Sequence, residues 1–276
     1  MGFNEGLLVA TRARQSLLCV GLDSDLERLP PHLLREFGER AVLEFNRWII
    51  EATKDLVCAY KLNLAFYEQL GPTGLGMLEE TLASIPEGVL KIADAKRGDI
   101  SSTAKAYAKA IFDYYGFDAA TVNPYLGLEA LEPFLSYSDR GAFVLCRTSN
   151  PGAREFQDLE CDGRPLYLWV AEAVARASER FGNLGLVVGA TWPEELRRVR
   201  ELVGDGLPIL IPGVGAQAGD LERAVRYGTN SRGELAIINV SRAVIFASAR
   251  EDFAQAARAA AQRLRDEIER SRPRRS

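Results

Sequence analysis

The chain has 276 residues, 47% of them hydrophobic, and a formal net charge of −4 at pH 7. This length suits one large barrel or two small domains, and the apolar share is enough for a sizeable core. The acidic balance argues against nucleic acid as a partner, because nucleic-acid-binding proteins usually present a basic face.

Short apolar runs that alternate with helical patterns predict eight strands and six helices. Each predicted strand is nearly all apolar, which is typical of a parallel sheet covered on both faces. In chain order the predicted elements are strand Ser16–Gly21, helix Glu39–Lys54, strand Leu56–Lys61, strand Val89–Ala93, helix Ser101–Tyr115, strand Ala119–Asn123, strand Ala142–Cys146, helix Leu166–Phe181, strand Leu184–Val188, helix Trp192–Val203, strand Pro208–Ile211, helix Ala218–Tyr227, strand Leu235–Val240 and helix Arg250–Arg270.

Eight strands alternating with helices are typical of the α/β class and of a (β/α)₈ TIM barrel. We therefore expect a single-domain barrel over residues 1–276, with a frayed basic tail over about 271–276. A doubly wound open sheet is the alternative. Such a sheet would more often have fewer strands and a glycine-rich first turn, whereas Gly21-Leu22-Asp23 is no GxGxxG and no P-loop motif occurs.

Charged residues are concentrated where the third predicted strand ends. Asp94, Lys96 and Asp99 have the spacing Asp-x-Lys-x-x-Asp, and Lys61 ends the preceding strand. Residues two apart on a strand share a face, so Asp94 and Lys96 should point the same way. Two lysines and two aspartates in one small space suit a reaction that needs a positioned proton and a fixed field rather than a nucleophile. On spacing alone, an ordinary salt-bridge network is the alternative.

Other predicted strands also end in polar groups. In a barrel, active sites form at the carboxyl ends of the strands, which meet at one mouth. A purely structural role could explain one or two of these polar residues. It does not explain why charged residues follow each of the first three predicted strands, whose ends would converge on one mouth. The remaining polar positions at this mouth are Asp23, Asn63, Asn123, Arg147, Thr148, Ser149, Thr191, Ser241 and Arg242.

The last two strand ends are typical of a phosphate site. Barrels often bind phosphate through the loops that follow strands 7 and 8. The loop 211–220 is rich in glycine, and its backbone N–H groups can point inward. Ser241 and Arg242 add a hydroxyl and a guanidinium, which can hold phosphate by two parallel hydrogen bonds. For the glycine loop alone, an ordinary turn is the alternative.

Metal and cofactor chemistry has weak support in the sequence. Asp94 and Asp99 could hold Mg²⁺, but the neighbouring lysines would already neutralise these carboxylates. Flavin, pyridoxal phosphate and nicotinamide sites each lack a motif, while a lysine Schiff base stays possible. The single histidine, His32, nearly excludes a Ser-His-Asp triad or a His-rich metal site, because both need imidazole.

The four cysteines indicate a reducing compartment. Cys19, Cys58 and Cys146 lie in apolar runs, no CxxC pair occurs, and Cys161 is the fourth. They are typical of free thiols rather than of a disulfide frame or a zinc site. The N-terminus has no signal-peptide pattern, and no stretch of about 18 apolar residues occurs. We expect a soluble cytoplasmic protein with no membrane partner.

Four motifs resemble the orotidine 5′-monophosphate decarboxylases, specifically the longer bacterial group known as type 2. The similarity extends from about Ser16 to Phe246 in order and spacing, and the first motif is highly specific. The four motifs are Asp94-Ala95-Lys96-Arg97-Gly98-Asp99-Ile100, Thr121-Val122-Asn123-Pro124-Tyr125-Leu126-Gly127, Ser149-Asn150-Pro151-Gly152, and the loop 212–217 with Ser241-Arg242.

The resemblance implies decarboxylation of orotidine 5′-monophosphate to uridine 5′-monophosphate and CO₂ in de novo pyrimidine biosynthesis, with no metal and no organic cofactor. Lys96 would donate the proton to pyrimidine C6. The working unit of the family is a homodimer with shared active sites. The implied charge array consists of Lys61, Asp94, Lys96 and Asp99, and the residues implied to enter the neighbouring subunit's site are Asp99, Ile100 and Thr103. The implied substrate contacts are Asp23 and Lys61 at the ribose hydroxyls and Ser149 at the pyrimidine. Gln217 and Arg242 are implied at the phosphate, with Ser241 beside them.

Two other functions stay open at this point. Sugar-phosphate decarboxylases and hexulose-phosphate synthases have the same Asp-x-Lys-x-x-Asp core and use Mg²⁺. A barrel that only binds a nucleotide would be a regulatory or scaffold protein, although mere binding does not require a proton donor such as Lys96. In the enzyme, the loops 149–164 and 213–220 are the candidate lids over bound substrate.

Overall fold

Eight parallel strands close into a barrel in the computed structural model, which describes residues 1–214 and 221–273. The first strand pairs with the second and also with the last, and this second pairing closes the sheet. The predicted (β/α)₈ barrel is therefore confirmed. Its strands are β1 (Leu18–Gly21), β2 (Ala59–Asn63), β3 (Leu90–Arg97), β4 (Ala119–Val122), β5 (Gly141–Arg147), β6 (Leu184–Val188), β7 (Ile209–Pro212) and β8 (Ala236–Val240).

Helices surround the barrel and pack on its outer face through a continuous apolar core. None of the helices in the described ranges is both long enough and apolar enough to cross a membrane. The longer helices are Phe3–Arg14, Pro31–Phe37, Ala41–Thr53, Gly71–Ser84, Ser101–Lys109, Leu166–Ser178, Pro193–Val203, Leu221–Gly228 and Phe253–Ser271, and the four-residue helices are Ala65–Glu68, Glu132–Leu135, Arg154–Gln157 and Arg242–Ile245.

The sequence patterns did not predict the N-terminal helix Phe3–Arg14, which covers one end of the barrel. Its Phe3 ring meets the Phe143 ring edge-on, with centroids 5.8 Å apart. Gly141 makes this approach possible, because a Cβ atom there would lie 2.4 Å from the Phe3 ring. The barrel is therefore blocked by aromatic packing at this end, and its polar groups face the other end.

Inside the barrel, an apolar layer lies below a polar one. The apolar layer consists of small and aliphatic side chains and the Phe143 ring, and it packs on the N-terminal helix. Side chains two residues further along a strand point the same way. The second layer therefore consists of residues two positions after certain members of the apolar layer. These members of the apolar layer are Cys19, Ala59, Ile92, Ala119 and Ile237, and the residues that follow them are Gly21, Lys61, Asp94, Thr121 and Asn239.

All four cysteines, which lie in the described ranges, are free thiols. Cys19, Cys58 and Cys146 are buried as expected, and Cys161 is exposed on a short hairpin formed by Glu160–Cys161 and Arg164–Pro165. Burial raises the pKa of both the Cys58 and the Cys146 thiols to about 12, so these two remain protonated and unreactive at neutral pH.

At the C-terminus, ordered packing extends into the segment that the sequence predicted to be a frayed tail. Ser271 ends the last helix, and the Arg272 guanidinium donates to the Gly233 carbonyl at 2.8 Å and pairs with Glu269. Residues 271–272 are thus anchored rather than frayed. Residues 274–276 of the predicted tail lie outside the described residues.

Arg200 holds one side of the barrel together. Its buried guanidinium donates to the carbonyls of Gly204, Leu207, Gly228 and Leu235 at distances between 2.6 and 3.2 Å. Burial lowers its pKa to about 10, which still leaves it charged at neutral pH. This side chain therefore satisfies backbone acceptors from several segments that water cannot reach.

We expect Arg200→Met to lower the free energy of unfolding by about 3 kcal/mol or more, because buried carbonyls lose their donors. Chemical denaturation followed by circular dichroism measures the change. Arg197→Met is the matched control on the same helix, since its pairs with Glu194 and Glu201 are exposed and should contribute less than about 1 kcal/mol. Equal losses for the two variants would contradict the role of Arg200.

Candidate active site

An irregularity in β3 brings Asp94 and Lys96 to the barrel mouth. The pairing of β3 with β4 passes from Ala93–Ala120 directly to Arg97–Val122, so β3 has two extra residues over this stretch. Lys96 has a left-handed backbone with φ of 49°. The two side chains do lie together as predicted, but a bulged strand rather than a regular one places them there.

Two ammonium groups meet at the Asp94 carboxylate. The Lys61 ammonium lies 2.7 Å from Asp94 Oδ2, and the Lys96 ammonium lies 2.6 Å from Asp94 Oδ1. Lys61 also approaches Asp23 Oδ1 at 3.5 Å. The order Asp23, Lys61, Asp94, Lys96 thus alternates in sign. The Lys61 side chain is only 4% exposed whereas that of Lys96 is 50% exposed, so Lys96 is the ammonium that a bound molecule can reach.

The pKa values of the inner pair favour the charged forms. Burial by itself lowers the pKa of Lys61, but the carboxylates of Asp23 and Asp94 outweigh it and the pKa is raised. Burial likewise raises the pKa of Asp94, but Lys61 and Lys96 outweigh it and the pKa is well below its usual range. Asp94 is therefore ionised at neutral pH, and its negative charge holds both ammonium groups in place.

Asp99, Ile100 and Thr103 lie away from this cluster. Asp99 Oδ1 accepts a hydrogen bond from the Ile100 N–H at 2.8 Å, and within the described part of the chain Asp99 forms no ion pair. The Ile100 side chain is 55% exposed, and Thr103 is exposed on the helix that follows. Of the four residues in the expected charge array, a single chain thus brings together Lys61, Asp94 and Lys96.

A cavity of about 680 Å³ opens above the charged cluster. The apolar side chains of Leu145, Val187 and Leu210 contribute to its lining, together with Gly213 and Val214 after β7. Ile100, Asp99 and Thr103 do not line it, and Gln217 lies outside the described residues. The predicted site residues that do line it are Asp23, Lys61, Asp94, Lys96, Ser149, Ser241 and Arg242.

Two glycines make room for Ser149 at the cavity wall. A Cβ atom at Gly189 would lie 2.8 Å from the Ser149 Cα atom. Gly213 has a left-handed backbone with φ of 93°, and a Cβ atom there would lie 3.1 Å from Ser149 Cβ. Larger residues at either position would therefore push the Ser149 loop into the cavity or out of it.

The side of the cavity formed by β8 carries Ser241 and Arg242. Gly21 accommodates Ser241, because a Cβ atom at Gly21 would lie 1.9 Å from Ser241 Oγ. Arg242 is exposed at the cavity and, within residues 1–214 and 221–273, forms no ion pair. An unpaired guanidinium beside a hydroxyl suits an anionic group such as phosphate.

The loop after β5 is held by an arrangement that sequence reasoning missed. The guanidinium carbons of Arg147 and Arg154 each lie 4.4 Å from the centre of the Trp192 ring. Arg147 is fully buried and pairs with Asp158, with Nε and Oδ1 3.0 Å apart. The Trp192 indole N–H donates to the Thr148 carbonyl at 3.1 Å. The segment 148–158, which contains the first part of the predicted lid 149–164, is thus attached at both ends.

The donor set does not suit a divalent cation at Asp94. Both carboxylate oxygens already accept from ammonium groups at 2.6 and 2.7 Å. A cation would have to displace Lys61 or Lys96 and lie next to the remaining positive charge. Among the described residues, no group of three or more His, Cys, Asp and Glu side chains has the arrangement of a metal site.

Comparisons with known proteins indicate a single family. Residues 16–260 match the Orotidine 5′-phosphate decarboxylase / HUMPS family. A Thermomicrobium roseum protein named orotidine 5′-phosphate decarboxylase is 56% identical over 99% of this chain and 96% of its own length. A Dehalococcoides mccartyi protein of the same name is 50% identical over 99% of this chain and its own full length.

Solved structures give the same result. The Leishmania donovani OMP decarboxylase is 38% identical with a TM-score of 0.85, and the comparison covers 98% of each chain. A putative orotidine-monophosphate-decarboxylase from Toxoplasma gondii is 40% identical with a TM-score of 0.88, over 98% of this chain and 97% of its own. On sequence, fold and matched length together, the chain belongs to the Orotidine 5′-phosphate decarboxylase / HUMPS family.

Proposed function

We propose that the protein decarboxylates orotidine 5′-monophosphate to uridine 5′-monophosphate and CO₂, without metal or organic cofactor, in de novo pyrimidine biosynthesis. The observation that carries the proposal is the alternating charge cluster at the mouth of the barrel, in which Lys96 is the accessible ammonium. Relatives at 50 and 56% identity carry the name of this activity. Lys96 is the proposed proton donor to C6.

The chemistry explains why such a cluster is useful. Loss of CO₂ leaves a carbanion at C6 in the plane of the pyrimidine ring, where the π system cannot delocalise it. The protein must therefore stabilise the charge electrostatically. An ammonium that is already fixed by a carboxylate, as Lys96 is by Asp94, can do so without reorganising and can then transfer a proton to C6.

Lys96 cannot account for the whole acceleration. Enzymes lower barriers by up to about 23 kcal/mol in typical strong cases, whereas one positioned donor contributes about 3 to 4 kcal/mol. The remainder has to come from binding energy at parts of the substrate that do not react. The unpaired guanidinium of Arg242, which lines the same cavity as Lys96, supports a phosphate contact as the main source of this binding energy.

The family resemblance implies the remaining substrate contacts, and the positions of these residues around the cavity support them. Asp23 and Lys61 are proposed to hold the ribose hydroxyls, and Ser149 the pyrimidine, since all three line the cavity. Gln217, which lies outside the described residues, is proposed to hold the phosphate together with Arg242 and Ser241.

We further propose a homodimer in which Asp99, Ile100 and Thr103 enter the partner's site. The support is an exposed apolar surface next to Asp99: Ile100 is 55% exposed and Tyr125 is 90% exposed. These segments are adjacent, because Gly98 approaches the Asn123 carbonyl so closely that a Cβ atom would lie 2.8 Å from it. Exposed aromatic and aliphatic side chains of this kind are typical of interfaces.

Mixing inactive variants tests the shared site. We expect Lys96→Ala and Asp99→Ala subunits, each nearly inactive alone, to regain activity after denaturation and joint refolding. A statistical mixture of equal amounts places half the dimers as heterodimers, each with one site that lacks both substitutions, so about a quarter of wild-type activity should return. Activity is measured on orotidine 5′-monophosphate, and mass spectrometry of the intact assembly confirms subunit exchange. No recovery after confirmed exchange would contradict sharing.

The family name leaves one rival activity, that of Mg²⁺-dependent barrels acting on ketose phosphates. Decay of orotidine 5′-monophosphate absorbance with purified, chelator-treated protein distinguishes the two. The proposal expects full activity in EDTA and none toward a hexulose phosphate. Activity that needs Mg²⁺ and a ketose phosphate would replace the proposal, and tight nucleotide binding without turnover would favour a regulatory barrel.

A cytoplasmic location is also proposed. Three of the four cysteines, all of them in the described ranges, are buried as free thiols, and the fourth is an exposed free thiol. Free thiols of this kind persist in reducing compartments, whereas oxidising compartments favour disulfides.

A further inference from the structure

Thr121 connects the two functional residues of β3 from the neighbouring strand β4. Its hydroxyl oxygen accepts a hydrogen bond from the Lys96 backbone N–H at 3.0 Å, and the hydroxyl donates to Asp94 Oδ1 at 3.1 Å. The residue is buried at 2% exposure. A hydroxyl has one proton, and its oxygen can accept as well as donate. Here the oxygen accepts from the Lys96 N–H, and the single proton is donated to the Asp94 carboxylate, which can only accept.

The first of these bonds lies where the ladder between β3 and β4 is interrupted. Pairing between the two strands stops after Ala93 and resumes at Arg97, so the hydroxyl replaces a ladder carbonyl as the acceptor for Lys96. Lys96 has φ of 49°, a left-handed conformation that has an energetic cost for a residue with a side chain. The bond to Thr121 offsets part of that cost and holds the bulge in one shape.

The second bond completes the coordination of the Asp94 carboxylate. Oδ2 accepts from Lys61, while Oδ1 accepts from both Lys96 and Thr121. Donors on both oxygens prevent the carboxylate from rotating. The position of the Lys96 ammonium depends on that carboxylate and on the backbone of Lys96 itself, and Thr121 contacts both.

We propose that Thr121 is a positioning residue for the decarboxylation, which sets where the Lys96 ammonium lies relative to substrate C6 through its bonds to Asp94 and to the Lys96 backbone. The inference rests on the proposed function. Its effect is on the transition state, because a displacement of about 1 Å at a reacting group can cost about 10²-fold in rate. Binding of the nucleotide, which depends on its phosphate and ribose, should change little.

The test compares Thr121→Val, which keeps the shape but removes the hydroxyl, with Thr121→Ser, which keeps the hydroxyl. We expect kcat to fall about 10- to 100-fold in Thr121→Val with KM within about threefold of wild type. Thr121→Ser should recover kcat to within about fivefold, because it can make both bonds. Thr53→Val is the control, since the Thr53 hydroxyl is also buried and bonds to the Ile49 carbonyl and to Tyr60, and none of these three residues lines the cavity.

Three results would overturn the inference: unchanged kcat in Thr121→Val, an equal loss of kcat in Thr121→Ser, or a rise of KM that accounts for the whole loss. Thermal unfolding checks that each variant is folded, and Thr121→Ala replaces Thr121→Val if the valine variant is insoluble.

A crystal structure of Thr121→Val separates this inference from the proposed function. We expect the Asp94 carboxylate to be rotated or the Lys96 backbone to have left the φ region near 49°. If both residues superpose on the wild type, Thr121 does not position them, whatever the substrate is. If the wild type does not turn over orotidine 5′-monophosphate, the proposed function fails, and the displacement of Asp94 and Lys96 still tests the geometric part.

Discussion

Lys96→Ala should lower turnover of orotidine 5′-monophosphate by about 10⁴-fold or more, while uridine 5′-monophosphate binds within about tenfold of its wild-type affinity. The substitution removes both the proton donor and the positive charge next to the developing carbanion, and each contributes about 10² to 10⁴ in rate. Binding changes less because the phosphate and ribose contacts are intact. Single-turnover kinetics and isothermal titration calorimetry measure the two quantities.

Lys54→Ala is the control for Lys96→Ala, because the Lys54 ammonium is on the surface and, among the described residues, pairs only with the Glu51 side chain. It should turn over substrate at the wild-type rate. Retention of more than a tenth of wild-type turnover in Lys96→Ala would remove Lys96 from the chemical step. A loss of product binding as large as the loss of turnover would instead make Lys96 a binding residue.

Arg242→Ala should lower kcat/KM for orotidine 5′-monophosphate by about 10²- to 10³-fold, since a charge-assisted phosphate contact contributes about 3 to 4 kcal/mol. The same substitution should change kcat/KM for orotidine, which lacks the phosphate, by less than about threefold. The ratio between the two substrates isolates the phosphate contact from any general damage to the site. Absorbance assays on both substrates give that ratio.

Arg250→Ala is the matched control for Arg242→Ala, because Arg250 is exposed and lies outside the cavity. Neither substrate should be affected by it. If Arg242→Ala impaired both substrates equally, the guanidinium would support the site in general and the phosphate would bind elsewhere.

The barrel was predictable from sequence because parallel strands covered on both faces leave a distinctive apolar pattern. Strand β6 has the predicted bounds, Leu184–Val188, and most other strand bounds differ by one or two residues. Helix Gly71–Ser84 was not predicted because three glycines and a proline in its first six residues interrupt the helical pattern. Tertiary packing overrides such local preferences.

The candidate site was predictable where residues adjacent in sequence are also adjacent in space. Asp94 and Lys96 form an ion pair, as their spacing indicated. The bulge that places them was not predictable, because it depends on a hydroxyl of the next strand, at Thr121. Asp99 lies away from Asp94, which agrees with the expected charge array only if Asp99 acts in the site of a second subunit. The sequence of one chain does not show how two subunits would pack.

The stack of Arg147 and Arg154 on Trp192 shows the same limit. Arg147 ends β5, Arg154 begins a short helix after it, and Trp192 lies in the loop after β6, so no local pattern relates them. The sequence does show Arg147 as a polar residue at the end of a predicted strand. Its partners, however, depend on how β5 and β6 lie side by side.

A crystal structure with bound uridine 5′-monophosphate tests the central claim most directly. The quantity to measure is the distance from the Lys96 ammonium to pyrimidine C6. We predict about 3 to 3.5 Å, with the ammonium held between Asp94 and the partner subunit's Asp99 and with the phosphate on Arg242. An ammonium that lies beyond hydrogen-bond reach of Asp94 or is turned away from C6, or a nucleotide bound outside this cavity, would contradict it.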